Sequence, residues 1–228
     1  MAFYPINLNI SGRLCLVVGG GAVAARKIEA LLFSEALVRV VSPEVSRKIS
    51  DYAASGQIEW IRREYRESDL ERVFLVFAAT NQPIVQEQIA HQAKKSGVLL
   101  NSADHPDQCD FLVPAKIRRG GLLIAISTGG ASPALSTRIK HRLYLEFGPE
   151  YGVLVDLLAS IRRQVVGSSR ESEANRILFQ RIVAQPLLEM IKEEKWEEIR
   201  VSLETILPQN VDCEALVKGL QAAMKDYR

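Results

Sequence analysis

Two short stretches of the chain hold residue types whose spacing can do chemistry. The first is Gly19-Gly20-Gly21-Ala22-Val23-Ala24, entered from the apolar run Leu14 to Val18. It fits the pattern G-x-G-x-x-A with Gly19, Gly21 and Ala24. In that pattern Gly19 makes the tight turn out of a strand. Gly21 lets the main chain approach a pyrophosphate with no Cβ in the way, and Ala24 lets a helix pack closely on the sheet. The amides of Ala22 and Val23 at the helix start then face the phosphates, aided by the helix dipole. A plain glycine-rich turn satisfies the same letters, so the reading depends on a strand before the motif and a helix after it.

The second stretch is Asn101 to Asp110. It holds Asp104, His105, Asp107 and Asp110, the densest cluster of proton-handling side chains in the chain. A carboxylate there acts as a general base if its surroundings tune its pKa. Asp before His-Pro is also ordinary turn composition. Asp104 is the first candidate for a catalytic group, and His105 carries no assigned role.

A one-sign segment follows. Phe111 to Leu145 contains no Asp or Glu but holds Lys116, Arg118, Arg119, Arg138, Lys140 and Arg142. A solvated helix face usually mixes signs, so this run points to an anionic partner, and arginine suits carboxylates because its fork binds them in bidentate fashion. Ser127-Thr128-Gly129-Gly130-Ala131-Ser132-Pro133 reads either as a further anion site at a helix start or as a plain strand-to-helix turn.

The elements that must carry these residues follow from periodicity. Leu14 to Val18 is a strand buried on both faces, and Ala22 to Phe33 is a helix. Val38 to Val41, Gln57 to Ile61, Val73 to Phe77 and Val98 to Leu100 read as strands. Val45 to Ala54 and Asn81 to Lys95 read as helices, with Gly97 a C-terminal stop. This alternation argues for a parallel sheet covered by helices. Phe111 to Lys116 and Leu122 to Ser127 read as a hairpin with a Gly-Gly turn, and Ser132-Pro133 opens a helix ending near Glu146. From Pro149 onward only amphipathic helices are expected, broken near Gly167-Ser168-Ser169, Gln185-Pro186 and Pro208-Gln209-Asn210. Lys192, Glu193, Glu194, Lys195, Glu197 and Glu198 read as solvated helix faces.

In this frame the first stretch is a dinucleotide site. The second strand ends in Val41-Ser42-Pro43-Glu44, where an NAD site places a group for the ribose hydroxyls. Ser42 can make that bond, and Glu44 comes slightly late. No arginine directly follows the strand to claim a 2′-phosphate, although Arg39 lies within it, so NAD is favoured over NADP. Thr80 and Asn81, after the fourth strand, form a second cradle or a helix cap, and both roles hold together. Asn101 ends the fifth strand beside the expected nicotinamide position.

Composition sets bounds. The chain has 228 residues, 47% hydrophobic and 25% charged, with a net charge of +2. That suits one or two cored domains, and without aromatic interleaving it argues against nucleic acid as a partner. No apolar run reaches the roughly 18 residues of a membrane span, and the N-terminus lacks the layout of a signal peptide. Cys15, Cys109 and Cys213 show neither disulfide nor zinc spacing, which favours a reducing cytoplasm, and no stable metal site is expected.

The motifs GGGAVAARK, VVSPE, AATN, NSADHP, FLVPAKI and ISTGGASPALSTRIK, in this order, resemble the siroheme synthase family, and more narrowly its precorrin-2 dehydrogenase module. The resemblance covers residues 1–160 most strongly. It implies an α/β fold: an NAD-binding Rossmann-like domain over 1–110, a dimerisation segment over 111–147 and a helical domain over 148–228. It implies oxidation of the tetrapyrrole precorrin-2 to sirohydrochlorin with NAD as hydride acceptor. In bifunctional members the same site then inserts ferrous iron, and the sequence leaves that activity open. The family's loop acid falls on Asp104, as general base. The polycarboxylated substrate agrees with the basic segment, from which Arg118, Arg119, Thr128 and Arg138 are taken as substrate contacts. Thr128 keeps the hydroxyl of a family Ser-Ser-Gly-Gly, and Asn81 stands where relatives often have Asp. Family members are homodimers. The methyltransferase module of some members has no counterpart in these 228 residues, so this chain is expected not to make precorrin-2 itself. Two other readings stay open: a dehydrogenase of another carboxylated metabolite, and a non-enzymatic NAD-sensing module.

Overall fold

The computed structural model describes residues 3–102, 105–165 and 173–226. The chain divides into two compact units, Met1–Val113 and Pro114–Arg228.

The first unit is a five-stranded parallel sheet in the order β3-β2-β1-β4-β5, with β1 Leu14–Val18, β2 Leu37–Val41, β3 Glu59–Ile61, β4 Leu75–Ala78 and β5 Leu99–Ser102. Helices α1 (Ala22–Phe33), α2 (Arg47–Ala54) and α3 (Pro83–Ser96) connect them. The Rossmann-like expectation holds. Alternate residues of β1 feed two cores: Cys15 and Val17 pack with Ala24, Ile28 and Ile49 of α1 and α2, while Leu16 and Val18 pack with Ile89 and Ala93 of α3. A strand buried on both faces must be apolar at every position, which is why β1 shows no alternation in sequence. Gly97 ends α3 in the left-handed region, with φ 68°.

Two boundaries shift for visible reasons. The helix expected from Val45 begins at Arg47, because the Ser46 amide is taken by the Gly20 carbonyl at 2.8 Å. The fifth strand runs on to Ser102 instead of stopping at Leu100. Past Leu100, the segment 109–111 returns alongside it and takes up its polar groups.

The second unit opens with a hairpin of β6 (Ala115–Arg119) and β7 (Leu122–Ile126). Arg119 pairs with Leu122, so Gly120-Gly121 is the whole turn, with Gly120 at φ 51°. The first strand starts four residues later than the apolar run, directly after Pro114, which has no N–H to donate. Helix α4 (Pro133–Glu146) starts as expected, with the Ser132 hydroxyl accepting from the Leu135 amide. Helices α5 (Glu150–Val165), α6 (Glu173–Val183), α7 (Leu187–Lys192), α8 (Trp196–Ile206) and α9 (Cys213–Asp226) follow. They share a core that includes Leu157, Ile161, Ile182, Ile191, Ile199 and Leu203. The breaks at Gln185-Pro186 and Pro208-Gln209-Asn210 are present, while Gly167-Ser168-Ser169 lies outside the described residues. The chain also breaks between α7 and α8, where Glu194 adopts φ 56°. The charges there are exposed, as the solvated-face reading requires, but they conceal a helix end.

Candidate functional site: a dinucleotide cleft at the sheet's switch point

Strand order reverses between β1 and β4, so the crevice outside their carboxyl ends is where such a sheet takes a ligand. Gly19-Gly20-Gly21 and Ala79-Thr80-Asn81 meet there. Gly19 sits at φ 126°, and a Cβ on it would lie 2.2 Å from the Ala79 carbonyl oxygen. A Cβ on Gly20 would lie 1.9 Å from the Glu44 carbonyl oxygen. These two glycines weld the β1 turn to its neighbours on either side. Gly21 differs: a Cβ there would meet nothing within 4 Å. Gly21 is the exposed N-cap of α1, no side chain caps the helix, and its first turn carries no acid. Ala22 and Val23 are exposed and Ala24 is buried on the sheet. An open space over Gly21, an uncapped positive helix end and a close-packed Ala24 together fit a bound pyrophosphate.

At the β2 end, Ser42 is 8% exposed and donates its hydroxyl proton to the Glu44 carbonyl at 2.6 Å. The Ser42 carbonyl accepts from the Trp60 indole at 3.0 Å. Toward a ribose hydroxyl, the Ser42 oxygen is therefore left as an acceptor. Pro43 and Glu44 are exposed beside it. Arg39 lies against Glu59 on β3 at 2.7 Å, spent in an ion pair within the sheet.

At the β4 and β5 ends, Thr80 Oγ1 accepts from the Gln82 amide at 3.3 Å, and Asn81 is exposed. Buried Asn101 is used internally: Lys27 donates to its Oδ1 at 3.0 Å, and its Nδ2 donates to the Phe111 carbonyl at 2.9 Å. Lys27 also lies 5.1 Å from the Phe77 ring centre. Burial pulls the Lys27 pKa down, with Cys109 opposing that and Arg26 adding to it. The Cys109 thiol accepts from the Ser102 amide at 3.1 Å and donates to the carbonyls of Ser102 and His105, each at 3.4 Å. Burial raises its pKa, so it stays a thiol. Asp110 accepts from the Leu100 amide at 2.9 Å, which makes it a structural carboxylate. Asp104 itself lies outside the described residues.

Sequence reading missed Lys27, Gln86 and Cys109. Two of them left a signal: Lys27 interrupts the apolar stripe of α1 beside Ile28, and Gln86 occupies the α3 face that buries Ile89 and Ala93.

With this geometry in place, comparison with known proteins decides the family. Residues 6–115 match a family model of NAD(P)-binding domains, and residues 119–143 match the central segment of sirohaem biosynthesis proteins. A solved structure described as SirC, precorrin-2 dehydrogenase, superposes with a TM-score of 0.75 at 31% identity, covering 90% of this chain and 98% of that one. The chain belongs to the siroheme synthase family. The siroheme synthase of Nitrosococcus oceani is 35% identical over 91% of this chain, and that of Nitrosomonas europaea is 35% identical over 84%. The chain spans less than half the length of these two relatives, 44% and 40% respectively.

The segment that matches the family's central region carries the remaining residues of interest. Arg119 donates to the carbonyls of Phe147 at 2.8 Å and Tyr144 at 3.2 Å, and stacks 4.0 Å from the Tyr144 ring centre. It ties the hairpin to the end of α4. Arg118 and Arg138 are exposed. Thr128 Oγ1 accepts from the Ser132 amide at 3.0 Å and lies 3.3 Å from the Ser136 hydroxyl. Ser127 and Ser132 hydroxyls accept from the Gly129 and Leu135 amides. The glycine loop thus spends these three amides on its own side chains, as a strand-to-helix turn does. Among the described residues no group of three or more metal-ligating side chains occurs, and no helix is long and apolar enough to cross a membrane.

Proposed function

We propose that this protein oxidises precorrin-2 to sirohydrochlorin with NAD. The observation that carries the reading is the open Gly21 cradle at the switch point of a fold that matches a precorrin-2 dehydrogenase over nearly its full length. The pyrophosphate is assigned to the Gly21, Ala22 and Val23 amides, the adenosine ribose to Ser42 and Glu44, and the nicotinamide half to the Thr80-Asn81 side. When bound, NAD supplies the two-electron acceptor that takes a hydride from the macrocycle. Asp104 is assigned the accompanying proton, so the two hydrogens lost leave as one hydride and one proton. Arg118 and Arg138, both exposed in the one-sign basic segment, are assigned to substrate carboxylates. Arg119 and Asn101 keep the structural ties described above.

The test is spectroscopic. Purified protein with precorrin-2 and NAD should give sirohydrochlorin and NADH absorbance together, and failure of both sinks the reading. Asp104→Asn should lower kcat by about 10²-fold or more while leaving NAD binding intact. Ferrous iron insertion is assigned to the same site. Its separate assay supplies sirohydrochlorin and ferrous iron without NAD and compares siroheme formation with the spontaneous rate. The segment 111–147 is proposed to join two copies. Helix α4 buries only Ser136 fully, and Leu145, at 86%, and Tyr144 are exposed.

A further inference from the structure

Gln86 is a buried amide on a helix face otherwise given to the core. It lies in the first turn of α3, four residues after the N-cap Gln82, and is 3% exposed. Helical side chains lean toward the helix N-terminus, which carries this one back over the loop that precedes α3. Its Nε2 donates to the Thr80 carbonyl at 2.5 Å, and its Oε1 accepts from the Ser102 hydroxyl at 3.4 Å. Thr80 follows the end of β4 and Ser102 is the last residue of β5. One side chain therefore ties together the carboxyl ends of two adjacent strands. A leucine would fill the same face without the desolvation penalty of an amide, so packing alone does not account for a glutamine here.

The other side of the cleft is fastened by a different set. Gly20 admits the Glu44 carbonyl, the Gly20 carbonyl accepts from the Ser46 amide, and the Ser42 hydroxyl holds Glu44. None of these bonds involves Gln86. A dinucleotide across the switch point puts its adenosine ribose at the β2 end and hence its nicotinamide half on the β4 side.

We propose that Gln86 is a positioning residue for the nicotinamide half of the cofactor, acting through the Thr80 carbonyl and Ser102 and leaving the adenosine half to the Gly20–Glu44 contact. This rests on the dinucleotide reading above. The test uses the full chain and calorimetry with two ligands, NAD and ADP-ribose, the second lacking the nicotinamide ring. Gln86→Met should weaken NAD binding about tenfold while changing ADP-ribose binding less than about twofold, a gap near 1 kcal/mol. Ser102→Ala, which removes one hydroxyl and leaves the core filled, should shift NAD in the same direction by a smaller factor. It also keeps the question answerable if Gln86→Met does not fold. Equal losses for both ligands, or no loss for either, would overturn the assignment. Wild-type protein that binds neither ligand would instead overturn the dinucleotide reading itself.

Discussion

Gly20 and Gly21 are neighbours with opposite tolerances. A Cβ on Gly20 collides with the main chain of Glu44, which no rotamer change relieves, whereas a Cβ on Gly21 enters open space at an ordinary φ of −83°. Gly20→Ala should therefore destabilise the fold by about 1–3 kcal/mol. Gly21→Ala should leave the melting temperature within about 2 °C and abolish NAD binding, because the methyl occupies the space assigned to the pyrophosphate. Thermal melts and calorimetry on the pair separate the two effects. Asp69 gives the pH dependence at this scale. Burial raises its pKa, but the Arg63 guanidinium (bonds of 2.6 and 2.8 Å) and the Arg66 amide outweigh that and hold it below the usual carboxylate range. A carboxyl depressed in the folded state stabilises above its unfolded pKa and loses that contribution as pH falls through the folded one. Asp69→Asn should lower stability at pH 7 by about 1–3 kcal/mol and flatten the loss of stability below about pH 4. Denaturant titrations across pH 2–7 read both.

The parallel sheet was legible at the scale of elements because β1, β4 and, apart from Arg39, β2 are apolar runs closed by glycine or turn residues, and each helix between them has its own stripe. What was not legible has specific causes. The extension of β5 depends on Cys109 and Asp110 returning beside it, a contact between residues seven to ten positions apart that periodicity does not record. The break at Glu194 sits inside a run of charges that reads as continuous helix. In the site, the strand and helix around the triple glycine are legible from sequence, but the need for Gly20 is not, because its reason is the Glu44 carbonyl, two elements away. Asn101 was read as a cofactor contact from its place at a strand end, yet Lys27 and Phe111 claim its amide. Element packing also predicts thiol chemistry. Cys15 is the second residue of β1, with no exposure, and burial pushes its thiol up to about 11 against a smaller opposing effect of Arg13. All three cysteines are buried and free. At pH 8 the native protein should react with a thiol reagent orders of magnitude more slowly than a free thiol, and all three should react at once in denaturant.

For the whole molecule, the first prediction is assembly. If residues 111–147 join two copies, sedimentation should give a dimer of the 25.4 kDa chain, and Leu145→Glu should shift it to monomer without lowering helix content. A wild-type monomer at micromolar concentration would defeat that proposal. A second consequence belongs to the cleft. The surface assigned to the phosphates is main chain: amides at a helix start, floored by two glycines that admit the carbonyls of their neighbours. Such a surface is specified by what a few positions lack and not by what many positions carry. Mutational drift across the rest of the sheet leaves it unharmed so long as the backbone path survives, and the burden of heredity falls on a handful of codons for glycine. A saturation scan of the first unit would show that as a narrow intolerant notch at positions 19–21 within a broadly permissive landscape of exposed sites.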